Sequence, residues 1–155
     1  MRRNKGAMIY FEDMDVGARH EFGSKTVSRE EIVDFATQYD PQPFHLDDAA
    51  AAMTPFGRLA ASGWHTGAMT MRIVVDAWSD KGFMGVGSPG LDELRWLKPV
   101  YPGDTIRVSS EVVAKRESRS RPNLGSVWSD VLVHNQDDVL VMKYTSIVMM
   151  LRRPA

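Results

Sequence analysis

The sequence predicts an α+β fold in which an antiparallel sheet wraps around one buried helix. Three observations carry this. Helix-period segments fill the first half of the chain and strand-like segments fill the second. Residues 64–78 hold Met69, Met71, Ile73, Val74 and Val75, with only His65, Arg72 and Asp76 ionisable. A helix apolar on most faces is a buried helix. Ile106, Val108, Ser110 and Val112 then alternate with Arg107, Ser109 and Glu111, the period of a half-buried antiparallel strand.

The elements follow in order. Residues 19–27 form a first strand. Ser28 and Glu31 make a capping box, and Ile32, Val33, Phe35, Ala36 and Tyr39 continue at helical spacing. Asp40-Pro41-Gln42-Pro43 ends that helix, because each proline drives its predecessor out of the α region. Asp47 and Asp48 cap a short helix over 49–53. The buried helix over 64–78 comes next. Residues 82–90 are glycine-rich and predict a flexible connection. Strands follow at 91–97, 106–115, 125–135 and 139–151, separated by turn-forming residues. The segments 106–113 and 139–151 are rich in Val, Met and Ile. Either is a poor unprotected sheet edge, which predicts a homodimer.

Composition narrows the function. The chain has 155 residues, enough for one domain over 1–155 with a core of its own. It has no cysteine, which excludes disulfides, Cys-type zinc sites and thiol nucleophiles, and fits a reducing compartment. We therefore expect a cytoplasmic protein. The net charge of −1 supplies no basic face for nucleic acid. The basic start, residues 1–6, is not followed by an apolar stretch of signal-peptide length. No run approaches the ~20 apolar residues of a membrane span.

Several motifs compete as chemistry. Gly85-Val86-Gly87-Ser88-Pro89-Gly90 matches G-x-G-x-x-G, but it follows a helix and precedes a strand, the reverse of a dinucleotide fold. No resident cofactor is expected. The four histidines show no local metal-ligand spacing, so no metal is expected either. Lys115, Arg116, Arg119 and Arg121 form a basic cluster in a predicted hairpin. It is either a solvated turn or an anchor for a phosphate-bearing ligand, since arginine forks match phosphate geometry. The strongest signal is Tyr39-Asp40-Pro41-Gln42-Pro43-Phe44-His45. Its prolines stiffen a loop that carries a carboxylate and an imidazole. The segment is either a turn after a helix or a device that binds one water and moves its protons. Downstream, Ser62 and Gly63 precede Trp64 and His65 at the start of the buried helix. Free backbone N–H groups there, with the positive end of the helix dipole, suit a developing oxyanion. The plainer reading is a cap with close backbone packing.

Taken together, these segments resemble the MaoC-like dehydratase family, near the (R)-specific enoyl-CoA hydratases. Asp40-Pro41-Gln42-Pro43-Phe44-His45 is similar to the family's hydratase motif, with Gln42 where the family has asparagine. The helix before it, Phe56-Gly57-Arg58-Leu59-Ala60, Gly63 and Pro99-Val100-Tyr101-Pro102-Gly103-Asp104 also match in order. The resemblance implies the hot-dog fold, a homodimer or an assembly of dimers, and acyl-CoA thioester substrates. It implies that Asp40 and His45 carry catalysis and that the Gly63 amide holds the thioester oxygen.

The expected activity is reversible addition of water across the α,β double bond of an enoyl-CoA. The rivals are a hot-dog thioesterase and a non-catalytic acyl-CoA-binding subunit. Ser62, Trp64, His65 and Arg58 are the expected substrate contacts near the helix start. The bulk of Trp64 and His65 points to a short or unusual acyl group. Arg119 and Arg121 are the expected contacts for the CoA phosphates.

Overall fold

The structure, a computed structural model, describes residues 7–155; the basic start, residues 1–6, lies outside the described residues. Strand β1 (Arg19–Thr26) runs into helix α1 (Arg29–Tyr39) through the capping box that the sequence predicts. The Glu31 amide donates to Ser28 Oγ at 3.1 Å, and the Ser28 amide donates to the Glu31 carboxylate at 3.3 Å. Helix α2 (Asp48–Ala52) is capped by Asp47, whose carboxylate accepts from the Ala50 amide at 2.9 Å. Helix α3 (Gly63–Lys81) extends beyond the predicted span at both ends. It stops at Gly82, whose φ of 72° is the left-handed conformation that glycine adopts without a Cβ clash.

Four strands follow: β2 (Gly85–Trp96), β3 (Thr105–Glu117), β4 (Leu124–His134) and β5 (Leu140–Leu151). All pairings are antiparallel, in the spatial order β1-β3-β4-β5-β2. One sheet face packs on α3. Ile73 and Met69 meet Ile106, Val108, Val133 and Met142 in the main core. Farther along α3, Trp78 joins Phe11, Met14, Val112, Val127 and Met150 in a second cluster. This is the helix wrapped by a sheet that the hot-dog resemblance implies.

Three expectations need correction. The glycine-rich stretch is not a flexible connection: from Gly85 onward it is the first half of β2, paired to β5 from Gly85↔Met150 to Trp96↔Met142. The glycines allow register shifts between Gly85, Gly87 and Gly90, and Pro89 is tolerated because β2 lies at the edge. The apolar strands expected to need edge protection, β3 and β5, are interior; the edges are β1 and β2. Helix α3 is not buried on most faces. Trp64, Met71 and Val75 lie on one stripe and are 62%, 48% and 48% exposed. Much of α3 is covered by the sheet, and this stripe is left open.

The cap at Ser28 gives a direct check. Ser28→Ala should cost about 1 kcal/mol, lowering the melting temperature by roughly 2–4 °C in a domain of this size. Ser28→Asp should retain most of the stability. An unchanged melting temperature in Ser28→Ala would mean that the capping box does not stabilise the fold.

Candidate active site

The loop after α1 is shaped by its prolines. Asp40 closes α1, its amide donating to the Ala36 carbonyl at 2.9 Å. Pro41 disfavours another helical residue before it, so the chain turns. The Gln42 amide returns to the Asp40 carbonyl at 2.8 Å. Pro43 then opens a 3₁₀ turn, Pro43–His45, where its fixed φ costs nothing, and the His45 amide donates to the Gln42 carbonyl at 2.9 Å. The loop thus brings the two side chains together. His45 Nε2 lies 3.4 Å from Asp40 Oδ2, and the side chains are 6% and 14% exposed.

The second ring nitrogen fixes the imidazole. His45 Nδ1 is 2.7 Å from the Ala60 carbonyl oxygen. A carbonyl only accepts, so Nδ1 carries the proton and Nε2 of the neutral ring presents its lone pair toward Asp40. The strand of backbone holding Ala60 is itself pinned. The Leu59 amide donates to Asp48 Oδ1 at 2.9 Å, and the Ala61 amide donates to the Val100 carbonyl at 2.8 Å. Asp48 is in turn ion-paired with Arg29 on α1.

Asp40 is held at both oxygens. Gln42 Nε2 donates to Oδ1 and Ser62 Oγ donates to Oδ2, each at 2.7 Å. Burial pushes its carboxyl up. The hydrogen bonds from Ser62 and Gln42 outweigh that effect and hold it below the usual aspartate value, and a positive charge on His45, when its ring is protonated, acts in the same direction. Asp40 is therefore an anion at neutral pH. In the neutral tautomer with Nδ1 protonated, both facing atoms are acceptors. One water about 2.8 Å from each can donate to both.

Gly63 supplies the third feature. It is the first residue of α3, and among the described residues neither its amide nor that of Trp64 meets an acceptor. A Cβ on Gly63 would lie 2.5 Å from Trp96 Cε2, so only glycine lets the indole close over the helix start. Dyad and helix start share a cavity of about 440 Å³, walled by Phe44, Phe56, Trp64, Trp96 and Val141, with Lys98 also on its lining.

The other expected contacts divide. Trp64 lines the cavity and meets Trp96 edge-on at 5.0 Å. Ser62 lines it too, but its hydroxyl is engaged with Asp40. His65 is not a lining residue: it is buried and stacked on Phe35 of α1 at 4.7 Å. Burial lowers its pKa below the ordinary histidine value, opposed by Glu31 and aided by Lys25. Arg58 lies over the Tyr101 ring at 3.9 Å rather than on the lining. Arg119 and Arg121 sit in the turn joining β3 to β4, at the opposite end of the sheet from Trp96 and Val141. The 13 residues of β3 span roughly 40 Å, so the structure does not bring this hairpin to the cavity of its own chain. Sequence reasoning missed Trp96 and Phe56 as walls. The visible signal was weak: Trp96 is the last residue but one of the predicted strand 91–97, just before Lys98-Pro99.

Comparison with known proteins identifies the family. The family model described as MaoC like domain matches residues 14–131. A 3-hydroxybutyryl-CoA dehydratase from Methylorubrum extorquens is 31% identical over 140 residues, 88% of this chain and 86% of that protein. A crystal structure of a MaoC-like dehydratase from Rhodospirillum rubrum is 39% identical with a TM-score of 0.86, covering 95% of this chain and 99% of that one. A structure of an (R)-hydratase from A. caviae involved in PHA biosynthesis is 25% identical with a TM-score of 0.66, covering 92% of this chain and 99% of that one. With the hot-dog architecture and the paired carboxylate and imidazole, these matches make the chain a member of the MaoC-like dehydratase family and a hydro-lyase.

Proposed function

We propose that the protein adds water reversibly across the α,β double bond of a short enoyl-CoA, giving the (R)-3-hydroxyacyl thioester. The observation that carries the reading is the convergence of Asp40, His45 and the free Gly63 amide on one cavity. The (R) outcome follows the likeness to the (R)-hydratase, and the thioester follows the likeness to a CoA dehydratase. The reading places the chain in the cytoplasm, in keeping with a sequence free of cysteine.

The chemistry balances within these groups. Water bound to Asp40 Oδ2 and His45 Nε2 attacks the β carbon. Its O–H bond breaks, the proton passes to the dyad, and the new C–O bond forms. The π electrons move onto the thioester oxygen, where the Gly63 amide and the α3 dipole stabilise the enolate. The dyad then returns the proton to the α carbon, so one water is consumed and the dyad is restored. Trp64 and Trp96 crowd the cavity, which favours a short acyl group. Lys98 is the lining cation that meets the CoA phosphates, in the role first expected of Arg119 and Arg121.

A second copy completes the assembly. Edge strand β2 leaves one side unpaired, and Val86, Leu91 and Trp96 on it are 51%, 45% and 45% exposed. With the open α3 stripe they form an apolar face of the kind that marks an interface. Light scattering at micromolar concentration should give a homodimer; a stable monomer would contradict this.

Asp40→Asn and His45→Gln should each lower kcat at least ~10²-fold with smaller effects on KM. Steady-state rates on a panel of enoyl-CoA esters, read both for hydration and for free thiol, provide the check. Near wild-type turnover in either variant removes that residue from the mechanism. Thiol release without hydration replaces the hydratase with a thioesterase.

A further inference from the structure

Ser62 occupies the N-cap position of α3 yet makes no side-chain cap bond. A serine there ordinarily accepts from an amide of the first turn. Here the hydroxyl turns the other way and donates to Asp40 Oδ2 at 2.7 Å. The residue is 1% exposed, so no solvent competes for that hydroxyl. The oxygen it meets is the one 3.4 Å from His45 Nε2, the oxygen to which the reacting water binds.

Two consequences follow from this one rotamer. The carboxylate is clamped at both ends, by Gln42 on Oδ1 and by Ser62 on Oδ2, so its plane cannot rotate away from His45. Among the described residues the Gly63 and Trp64 amides at the start of α3 are also left without an acceptor and available to the thioester oxygen, the His65 amide being already bonded to the Ser62 carbonyl at 2.9 Å. A conventional cap would consume one of those donors and free Asp40 to swing.

We infer that Ser62 is a positioning residue rather than a substrate contact: its hydroxyl orients Asp40 as the ionised partner of His45 while leaving the α3 amides open for the oxyanion. This rests on the hydratase reading and adds a role within it. The bond from Ser62 is also one of the influences that lower the Asp40 pKa. The ionisable groups lining the cavity are Asp40, His45 and Lys98. Of these only Asp40 bonds Ser62, so a change in its titration reports on the hydroxyl.

The test compares wild type, Ser62→Ala and Ser62→Thr in two measurements. The first is kcat and KM against pH on the preferred enoyl-CoA. The second is the carboxyl ¹³C titration of Asp40 by NMR, which needs no turnover. In Ser62→Ala the loss of a donor to a charged group should lower kcat about ten- to a hundredfold, with KM little changed. The acid limb of the rate profile and the NMR midpoint should both move to higher pH, because the anion has lost a stabilising partner. Ser62→Thr keeps the hydroxyl and should restore the midpoint. A raised KM with an unmoved midpoint would overturn the inference and make Ser62 a substrate contact. If no enoyl thioester is hydrated by wild type, the hydratase reading fails, while the NMR midpoint still decides whether Ser62 sets Asp40.

Discussion

A backbone carbonyl can only accept a hydrogen bond, so the Ala60 oxygen, 2.7 Å from His45 Nδ1, holds the imidazole in one tautomer. The remaining site geometry depends on that constraint. In the neutral ring it aims the Nε2 lone pair at Asp40, which gives the proposed water its second acceptor. It also ties the loop after α1 to the backbone that enters α3. Had His45 taken the other tautomer, Nε2–H would point at the carboxylate, the imidazole would offer the water no acceptor, and the bare Nδ1 would face the Ala60 oxygen. The bond exists only because Ala60 is held still, through Leu59 on Asp48 and Ala61 on Val100.

The wider fold sets the two ends of α3 to different work. Its far end is anchored in aromatic packing, with Trp78 stacked on Phe83 at 4.3 Å and edge-on to Phe22 at 5.4 Å. Its near end stays polar and open, presenting amides to a cavity. A long helix fastened at one end and lying on a sheet can hold its first turn at a fixed distance from the dyad. Proton transfer requires this, because misplacement by about 1 Å can cost two orders of magnitude in rate.

Local chemistry was legible in the sequence, and non-local geometry was not. The Ser28 and Glu31 box, the proline-stiffened loop and the Asp47 cap involve residues a turn apart and stand as predicted, whereas Asp48, also expected to cap, is the first residue of α2 and accepts from the Leu59 amide. The partnership of Asp40 with His45 was legible for the same reason. Strand order was not. Nothing in the glycine run shows that it pairs with β5, since glycine is a poor strand former and the pairing joins distant segments. The edges were misjudged for that reason, because apolar β3 and β5 are covered by neighbours that the sequence does not name. Charge density at Arg119 and Arg121 fitted either a solvated turn or a phosphate anchor, and the register of β3 and β4 puts it far from the cavity of its own chain. His65 was misassigned by helix phase. One step of about 100° along α3 from Trp64 turns its ring from the cavity to Phe35.

The central claim is that one water is added across the double bond by a dyad that passes a single proton. Hydration of an enoyl-CoA in deuterium oxide, followed by proton NMR of the product, addresses it most directly. The account predicts a 3-hydroxyacyl thioester of one hand with a single deuterium at the α carbon. Release of free CoA without a 3-hydroxy product, or a racemic hydroxyl with deuterium scattered over both α positions, would contradict it.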